Sequence, residues 1–255
     1  MTYCVGMTLD KGLVLMSDTR TNSGVDNISV FRKMFHWSIP GERIVAIMTA
    51  GNLATTQAVI SQLEERTKAP QDRRPSVLEA PTMFQVATQV GNLLCDTIRK
   101  RQMADGPSSG GPRFTASMIV AGQIKGMEPR LFLIYPEGNF IEASFDTPFF
   151  QIGETKYGRP IILRGYDRGM SFEDAVKLLL VSFDSTVAAN LSVGLPFDLL
   201  VIERDKFEPL QQRRILANDP YFKRISASWS DALRDAFHSL PDYAFEEDVP
   251  AVAAE

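Results

Sequence analysis

The sequence predicts an α+β protein with helices packed outside stacked sheets, and three observations predict it. The first fifty residues read as successive strands, two stretches with helical periodicity follow, and strand patterns then resume before further helices. That order sets sheet against sheet with helices as outer layers, and it reads as one domain across 1–255.

Each element has its own signal. Residues 3–9 alternate as a strand, and Asp10-Lys11-Gly12 is a hairpin turn before the next apolar run. Residues 13–16 are nearly apolar on both faces, so that strand is expected to be covered on both sides. Residues 30–35 and 43–48 are the next two strands, separated by the turn signal Ile39-Pro40-Gly41. A helix is expected over about 52–67, with Leu53, Thr56, Ile60 and Leu63 on one face. A second, over about 82–103, repeats Met83, Ala87, Val90 and Leu94. The proline-bearing loop 69–75 lies between them, and 106–112 is a stronger Gly/Pro/Ser break.

Strands are expected again at 114–122, 130–135 and 140–143, the last after the turn Pro136-Glu137-Gly138-Asn139. Ser171-Phe172-Glu173-Asp174 has capping-box character and opens a helix using Phe172, Ala175, Val176, Leu179 and Phe183. A late strand covers 197–202. Asp219-Pro220 starts a last helix by the cap-then-proline rule, with Phe222, Ile225, Trp229 and Leu233 inward. The tail 244–255 is acidic, small and expected to fray.

Composition narrows the function. Of 255 residues, 44% are hydrophobic and 23% charged, the proportions of an ordinary globular protein with ample core. A net charge of −4 gives no basic footprint for nucleic acid. There is no apolar run of membrane-spanning length and no signal-peptide pattern, so no membrane partner is expected and the location is expected to be cytoplasmic. Cys4 and Cys95 lack metal-ligand spacing, and neither a metal nor another cofactor is expected. Only His36 and His238 are present, which leaves little room for a Ser-His-Asp triad. His36 reads as a half-buried strand residue. An enzyme built from this chain would take its base from elsewhere.

Thr2 offers one. If Met1 is removed, Thr2 carries a hydroxyl and a free α-amine on one residue, and the amine can take the hydroxyl proton directly or through water. An α-amine has an ordinary pKa of about 8, so part of it is basic near neutrality. Asp18 ends the second strand and Lys33 is placed in the third, so both can converge with Thr2 at one end of a sheet. A lysine there would stabilise a deprotonated hydroxyl and depress the pKa of a nearby ammonium, while the carboxylate keeps the lysine in place.

The runs Thr2-Tyr3-Cys4-Val5-Gly6 and 10–20, then Lys33, then Ala50-Gly51-Asn52-Leu53-Ala54, resemble a proteasome β-subunit, an N-terminal nucleophile hydrolase. The likeness resumes at 131–138, at Phe150-Gln151-Ile152-Gly153 and at Val201-Ile202, covering about 2–203. Gly153-Glu154-Thr155-Lys156-Tyr157-Gly158 and the C-terminal extension at about 204–255 most resemble the bacterial ancestral β-subunits called Anbu. The resemblance implies a four-layer αββα sandwich, with the extension as an extra helical region, stacked into rings or open spirals. It implies Thr2 as nucleophile, Lys33 as activator, Asp18 as its partner and Arg20 as support. It also implies the Gly51 amide as oxyanion donor, which agrees with a glycine left between a strand and a helix N-terminus. Thr21, Asn22, Ala50 and Gly51 would flank an extended peptide, and Thr49 and Leu53 would line its first side-chain pocket.

Two departures stand out. Proteasomal subunits have Gly-Ser-Gly where this chain has Gly153-Glu154-Thr155, and Glu154 could serve the amine as a proton partner or alter substrate choice. Ser192 matches the family, but the aspartate three residues before it is Ala189 here. No propeptide is seen, so an aminopeptidase acting on Met1 would suffice. The leading expectation is a threonine endopeptidase acting on peptides or proteins within a homo-oligomer, with no unfoldase or accessory partner named by the sequence. An amidase acting on a non-protein amide and an assembled scaffold without turnover are the alternatives.

Overall fold

The computed structural model describes residues 2–22, 28–68, 75–105 and 114–243. The expected breaks at 69–74 and 106–112 and the tail 244–255 lie outside them. The chain opens with β1 (Tyr3–Leu9), β2 (Gly12–Asp18), β3 (Arg20–Asn22), β4 (Ile28–Val30), β5 (Met34–Ile39) and β6 (Arg43–Gly51). Helices α1 (Leu53–Lys68) and α2 (Met83–Asp105) follow, then β7 (Ala116–Ile124), β8 (Arg130–Ile134), β9 (Phe140–Glu142) and β10 (Phe149–Gly153). The remainder is α3 (Arg159–Gly165), α4 (Phe172–Ala189), β11 (Phe197–Glu203), β12 (Pro209–Ile215) and α5 (Pro220–His238).

The strands form two antiparallel five-stranded sheets, ordered β10-β1-β2-β11-β12 and β5-β6-β7-β8-β9, with β3-β4 as a small hairpin. Side-chain alternation turns this into four layers. On β6, Val45 and Ile47 join Val59, Leu63, Val90 and Leu94 of the helices, whereas Ile44, Ala46 and Met48 pack toward the other sheet. On β1 and β2, Tyr3, Val5, Met7, Val14 and Met16 face α4 residues such as Leu179 and Phe183, while Cys4, Leu13 and Leu15 lie between the sheets. The fold is therefore a four-layer αββα sandwich, and its near-continuous apolar strands are apolar because both faces are covered. Gly6 leaves room for the second sheet: a Cβ there would lie 2.8 Å from Leu131 Cδ1 and 3.2 Å from Ile119 Cγ2.

Several expectations need correcting. Lys33 is not inside a strand; residues 31–33 are an irregular link between β4 and β5. The chain leaves the small hairpin there, Phe31 N still bonding Thr19 O at 2.9 Å, while Lys33 O accepts from Thr49 N at 2.9 Å as the next sheet begins. The inward face of α5 is only partly covered: Phe222 is buried, Ile225 and Trp229 are half-buried, and Leu233, which lines an apolar groove with those two and Leu178 of α4, is half exposed. The strand expected over 30–35 is split between the end of β4 at Val30 and the start of β5 at Met34, and β3, β10, α3 and β12 were not separately predicted. β12 is an edge strand of largely exposed polar residues (Gln211, Gln212, Arg213, Arg214), so it lacks the alternating apolar signal. The cap expectations hold: Ser171 Oγ accepts from Asp174 N at 3.0 Å, and Asp219 Oδ1 accepts from Tyr221 N and Phe222 N.

Phe183 is fully buried with its ring 4.4 Å from Tyr3 and 5.0 Å from Phe197, tying α4 to two strands of one sheet. Phe183→Ala is expected to destabilise the fold by about 3–5 kcal/mol, read as a lower urea midpoint with an unchanged slope.

Candidate active site

Three chain segments meet around Asp18 at the end of β2. Its side chain is fully buried, and Oδ1 accepts from Lys33 Nζ at 2.7 Å and from the Tyr3 amide at 3.0 Å. Oδ2 faces the Gly194 amide at 3.4 Å. Lys33 is also buried and gives a second hydrogen bond to Arg20 O at 2.5 Å. Burial pushes the Asp18 carboxyl above the ordinary carboxylate range, with Lys33 and then the Tyr3 and Gly194 amides pulling against that shift. The same burial, with Asp18 nearby, pushes the Cys4 thiol well above its usual value, so Cys4 is an inert core thiol beneath the site.

Thr2 is held against the loop that follows β10. Glu154 N donates to Thr2 O at 2.6 Å. Gly153 has φ +87°, and a Cβ on it would lie 1.9 Å from Thr2 O, so only glycine lets the two backbones approach. Thr2 and Lys33 line one cleft of about 580 Å³ with Thr21, Thr49, Ala50, Gly51, Asn52, Leu53, Thr56 and Gly153. Asn52 Oδ1 caps α1 by accepting from Thr55 N at 2.9 Å. Thr49 N serves Lys33 O on the β5 side and Asn52 N serves Thr115 O on the β7 side. Strand alternation then directs the Gly51 N–H to the β5 side, beyond the start of β5 and toward the cleft that Gly51 lines.

Of the residues predicted for the site, Thr2, Lys33, Thr21, Thr49, Ala50, Gly51 and Leu53 therefore come together. Asp18 sits directly behind Lys33. Asn22 ends β3, next to Thr21. Arg20, Glu154 and Ser192 stand outside the cleft's lining. Arg20 Nη1 donates to Leu191 O at 3.1 Å, and its guanidinium packs against Gly194, where a Cβ would lie 2.4 Å from Cζ. Ser192 N donates to Asn190 Oδ1 at 2.9 Å. Glu154 is buried, with its carboxylate accepting from Asn190 Nδ2 at 3.0 Å and Lys156 N at 3.3 Å. Sequence reasoning missed Asn190, Gly194, Gly153 and Thr56. A glycine directly before the predicted Glu154 was the available signal for Gly153, and the helix face shared with Leu53 was the signal for Thr56; Asn190 and Gly194 become meaningful only once the 190–194 turn is folded against Arg20 and Glu154. Among the described residues no cluster of His, Cys, Asp and Glu could hold a metal, and no helix is long and apolar enough to cross a membrane.

Lys33→Met should leave the Asp18 charge buried and unmatched, costing about 3–5 kcal/mol. The carboxyl would then rise further above its unfolded value. A raised carboxyl binds its proton more tightly folded than unfolded, so its stabilising contribution is present at acid pH and lost as pH rises through the folded value. Urea midpoints should therefore fall more steeply for the variant than for the parent between pH 4 and pH 7.

The family model for "Proteasome subunit" matches residues 2–202. A proteasome subunit beta from Methanopyrus kandleri is 23% identical over 208 residues, covering 80% of this chain and 88% of that protein. Among solved structures, Anbu (ancestral beta-subunit) from Yersinia bercovieri is 43% identical with a TM-score of 0.88, covering 96% of this chain and 100% of that one. A Gly-1 mutant of Anbu from Hyphomicrobium sp. strain MC1 is 47% identical with a TM-score of 0.88 and the same coverage. The subunit of a helical Anbu assembly from Pseudomonas aeruginosa is 41% identical with a TM-score of 0.88, covering 95% of this chain and 98% of that one. The fold thus has counterparts along almost the whole length of the chain, and the chain belongs to the proteasome subunit family, in its Anbu (ancestral β-subunit) branch.

Proposed function

We propose that the protein is a threonine peptidase of the N-terminal nucleophile type, active once Met1 is removed. The observation that carries this reading is the buried Lys33–Asp18 pair, 2.7 Å apart, in which Asp18 also holds the amide of the residue after Thr2. That arrangement brings a positive charge to the cleft that Thr2 lines, without histidine.

The Thr2 hydroxyl attacks the carbonyl carbon of a peptide bond, and its proton passes to the α-amine, directly or through water. Lys33 stabilises the developing alkoxide by charge. The tetrahedral oxyanion accepts from the Gly51 N–H, which lies beside the N-terminus of α1. Collapse breaks the C–N bond, and the ammonium returns its proton to the departing amine. Water then attacks the ester carbonyl, giving its proton to the α-amine, and the breaking C–O bond restores the threonine hydroxyl. Asp18 and Arg20 act as positioning residues, on Lys33 and on the 190–194 turn.

Glu154 takes part through the amine. Its carboxylate is held by two neutral donors and has no ion-pair partner among the described residues, while its own N–H binds Thr2 O. A mature ammonium at Thr2 would supply the missing positive charge. Thr21, Asn22, Ala50 and Gly51 would hold the substrate backbone beside the nucleophile. Self-association into a ring or open spiral is part of the same proposal, supported by the helical assembly of the Pseudomonas aeruginosa relative and by the exposed apolar side chains Leu233 and Phe237 on α5. Residues 1–255 are read as one domain with its core at about 2–203; the extension expected to be helical over 204–255 first adds strand β12 to the sheet beside β11 and only then forms helix α5.

Intact mass tests the nucleophile. The purified protein should lack the mass of Met1 and gain one probe mass with a peptide epoxyketone or β-lactone, and Thr2→Ala should gain none. Retained Met1 with no adduct would leave a scaffold in place of the enzyme. For Glu154→Ala, the labelling rate should fall by about tenfold, a barrier change of about 1.4 kcal/mol. An unchanged rate would remove Glu154 from the mechanism.

A further inference from the structure

We infer that the cleft beside Thr2 selects an uncharged aliphatic side chain, so that cleavage follows residues such as leucine, valine or methionine and charged residues are rejected. The inference rests on Thr2 being the nucleophile and names the substrate class of that site. Thr21, Thr49, Ala50, Asn52, Leu53 and Thr56 line the cleft with Lys33. Thr56 Oγ1 donates to Leu53 O at 2.9 Å, and Thr49 Oγ1 points to Lys33 O at 3.5 Å. A threonine whose hydroxyl is committed to the backbone offers a bound side chain its methyl group rather than a polar contact. With the Leu53 side chain and the Ala50 methyl, hydrocarbon makes up somewhat more of the cleft surface than polar atoms do, and the Asn52 amide oxygen in the lining is already engaged by Thr55 N.

Charge sharpens the choice. Lys33 is the one charged residue in the lining, and its ammonium already donates to Asp18 Oδ1 and Arg20 O. A substrate carboxylate would have to compete with Asp18 for that lysine while losing its own hydration. A guanidinium or ammonium would enter a cleft whose lining contains no carboxylate and would meet the Lys33 charge. An apolar side chain meets neither penalty and gains burial.

The test uses the mature protein and peptide epoxyketones that differ only in the residue beside the warhead: leucine, valine, arginine or glutamate. Adduct formation followed by intact mass should be at least about tenfold faster for leucine and valine than for arginine and glutamate. Thr56→Glu, which sets a carboxylate in the lining, should shift the arginine-to-leucine rate ratio upward by about tenfold, and Thr49→Glu provides the same reversal from the strand side. Charged probes reacting as fast as the aliphatic ones in the parent protein would overturn the inference while leaving Thr2 as the nucleophile. Absence of any adduct with all four probes would overturn the nucleophile reading and this inference with it.

Discussion

One carboxylate oxygen organises this end of the molecule. Asp18 Oδ1 accepts from the Tyr3 amide and from Lys33 Nζ, so the backbone beside Thr2 and the one charged side chain among the cleft's lining residues are fixed to the same atom. The two bonds reinforce each other because each stabilises the ionised form that the other needs. Burial works against that form, and the lysine and amides answer it. Such a pair adds little net stability over an apolar replacement, but it fixes geometry: with both partners buried, the ammonium has few other places to go.

The rest of the structure holds the segments that bring those atoms together. Tyr3, one residue beyond Thr2, faces away from the neighbouring sheet and anchors β1 to the helices. Its hydroxyl accepts from Gln151 Nε2 at 2.6 Å and lies 2.7 Å from Ser182 Oγ, which donates to Gly158 O at 3.0 Å. Burial pushes that phenol up to about 12, so it stays a neutral bridge at any physiological pH. β1, β10, α4 and the turn before α3 are thereby tied to one side chain. On the opposite face, Gly6 lets the second sheet approach, and that sheet carries Thr49, Ala50 and Gly51 to the cleft. The site is a joint between strand ends of two sheets, each braced by its own helices.

This origin explains what could be read from sequence. β1, β2, β6, α1, α2 and α4 are legible because they are covered on both faces or carry a strong apolar stripe, and their caps use short polar side chains with known geometry. Thr2, Asp18 and Lys33 are legible as chemistry, and strand order alone allows them to converge at one end of a sheet; the role of Gly51 came from family likeness. Lys33 shows the limit: a lysine in an irregular link between a hairpin and a sheet looks the same in sequence as a lysine in a strand. Asn190 and Gly194 carry no local signal, because their roles are defined by Glu154 and Arg20, more than thirty residues away in each case. β12 escapes because an exposed edge strand need not alternate.

The two stretches that depart from the proteasomal pattern are joined in space through Asn190. Ala189 ends α4 as an exposed residue, so an acidic group at 189 is absent from the site. The next residue, Asn190, turns its amide nitrogen to Glu154 Oε2 and its amide oxygen to Ser192 N. The carboxylate is therefore present on the loop that holds Thr2 O, linked to the 190–194 turn through one amide side chain. An amide suits that link better than a second acid would, because two carboxylates at hydrogen-bonding distance repel unless one is protonated. Glu154 and Asn190 thus read as a complementary pair: a buried carboxylate at 154 is met by a neutral amide donor at 190.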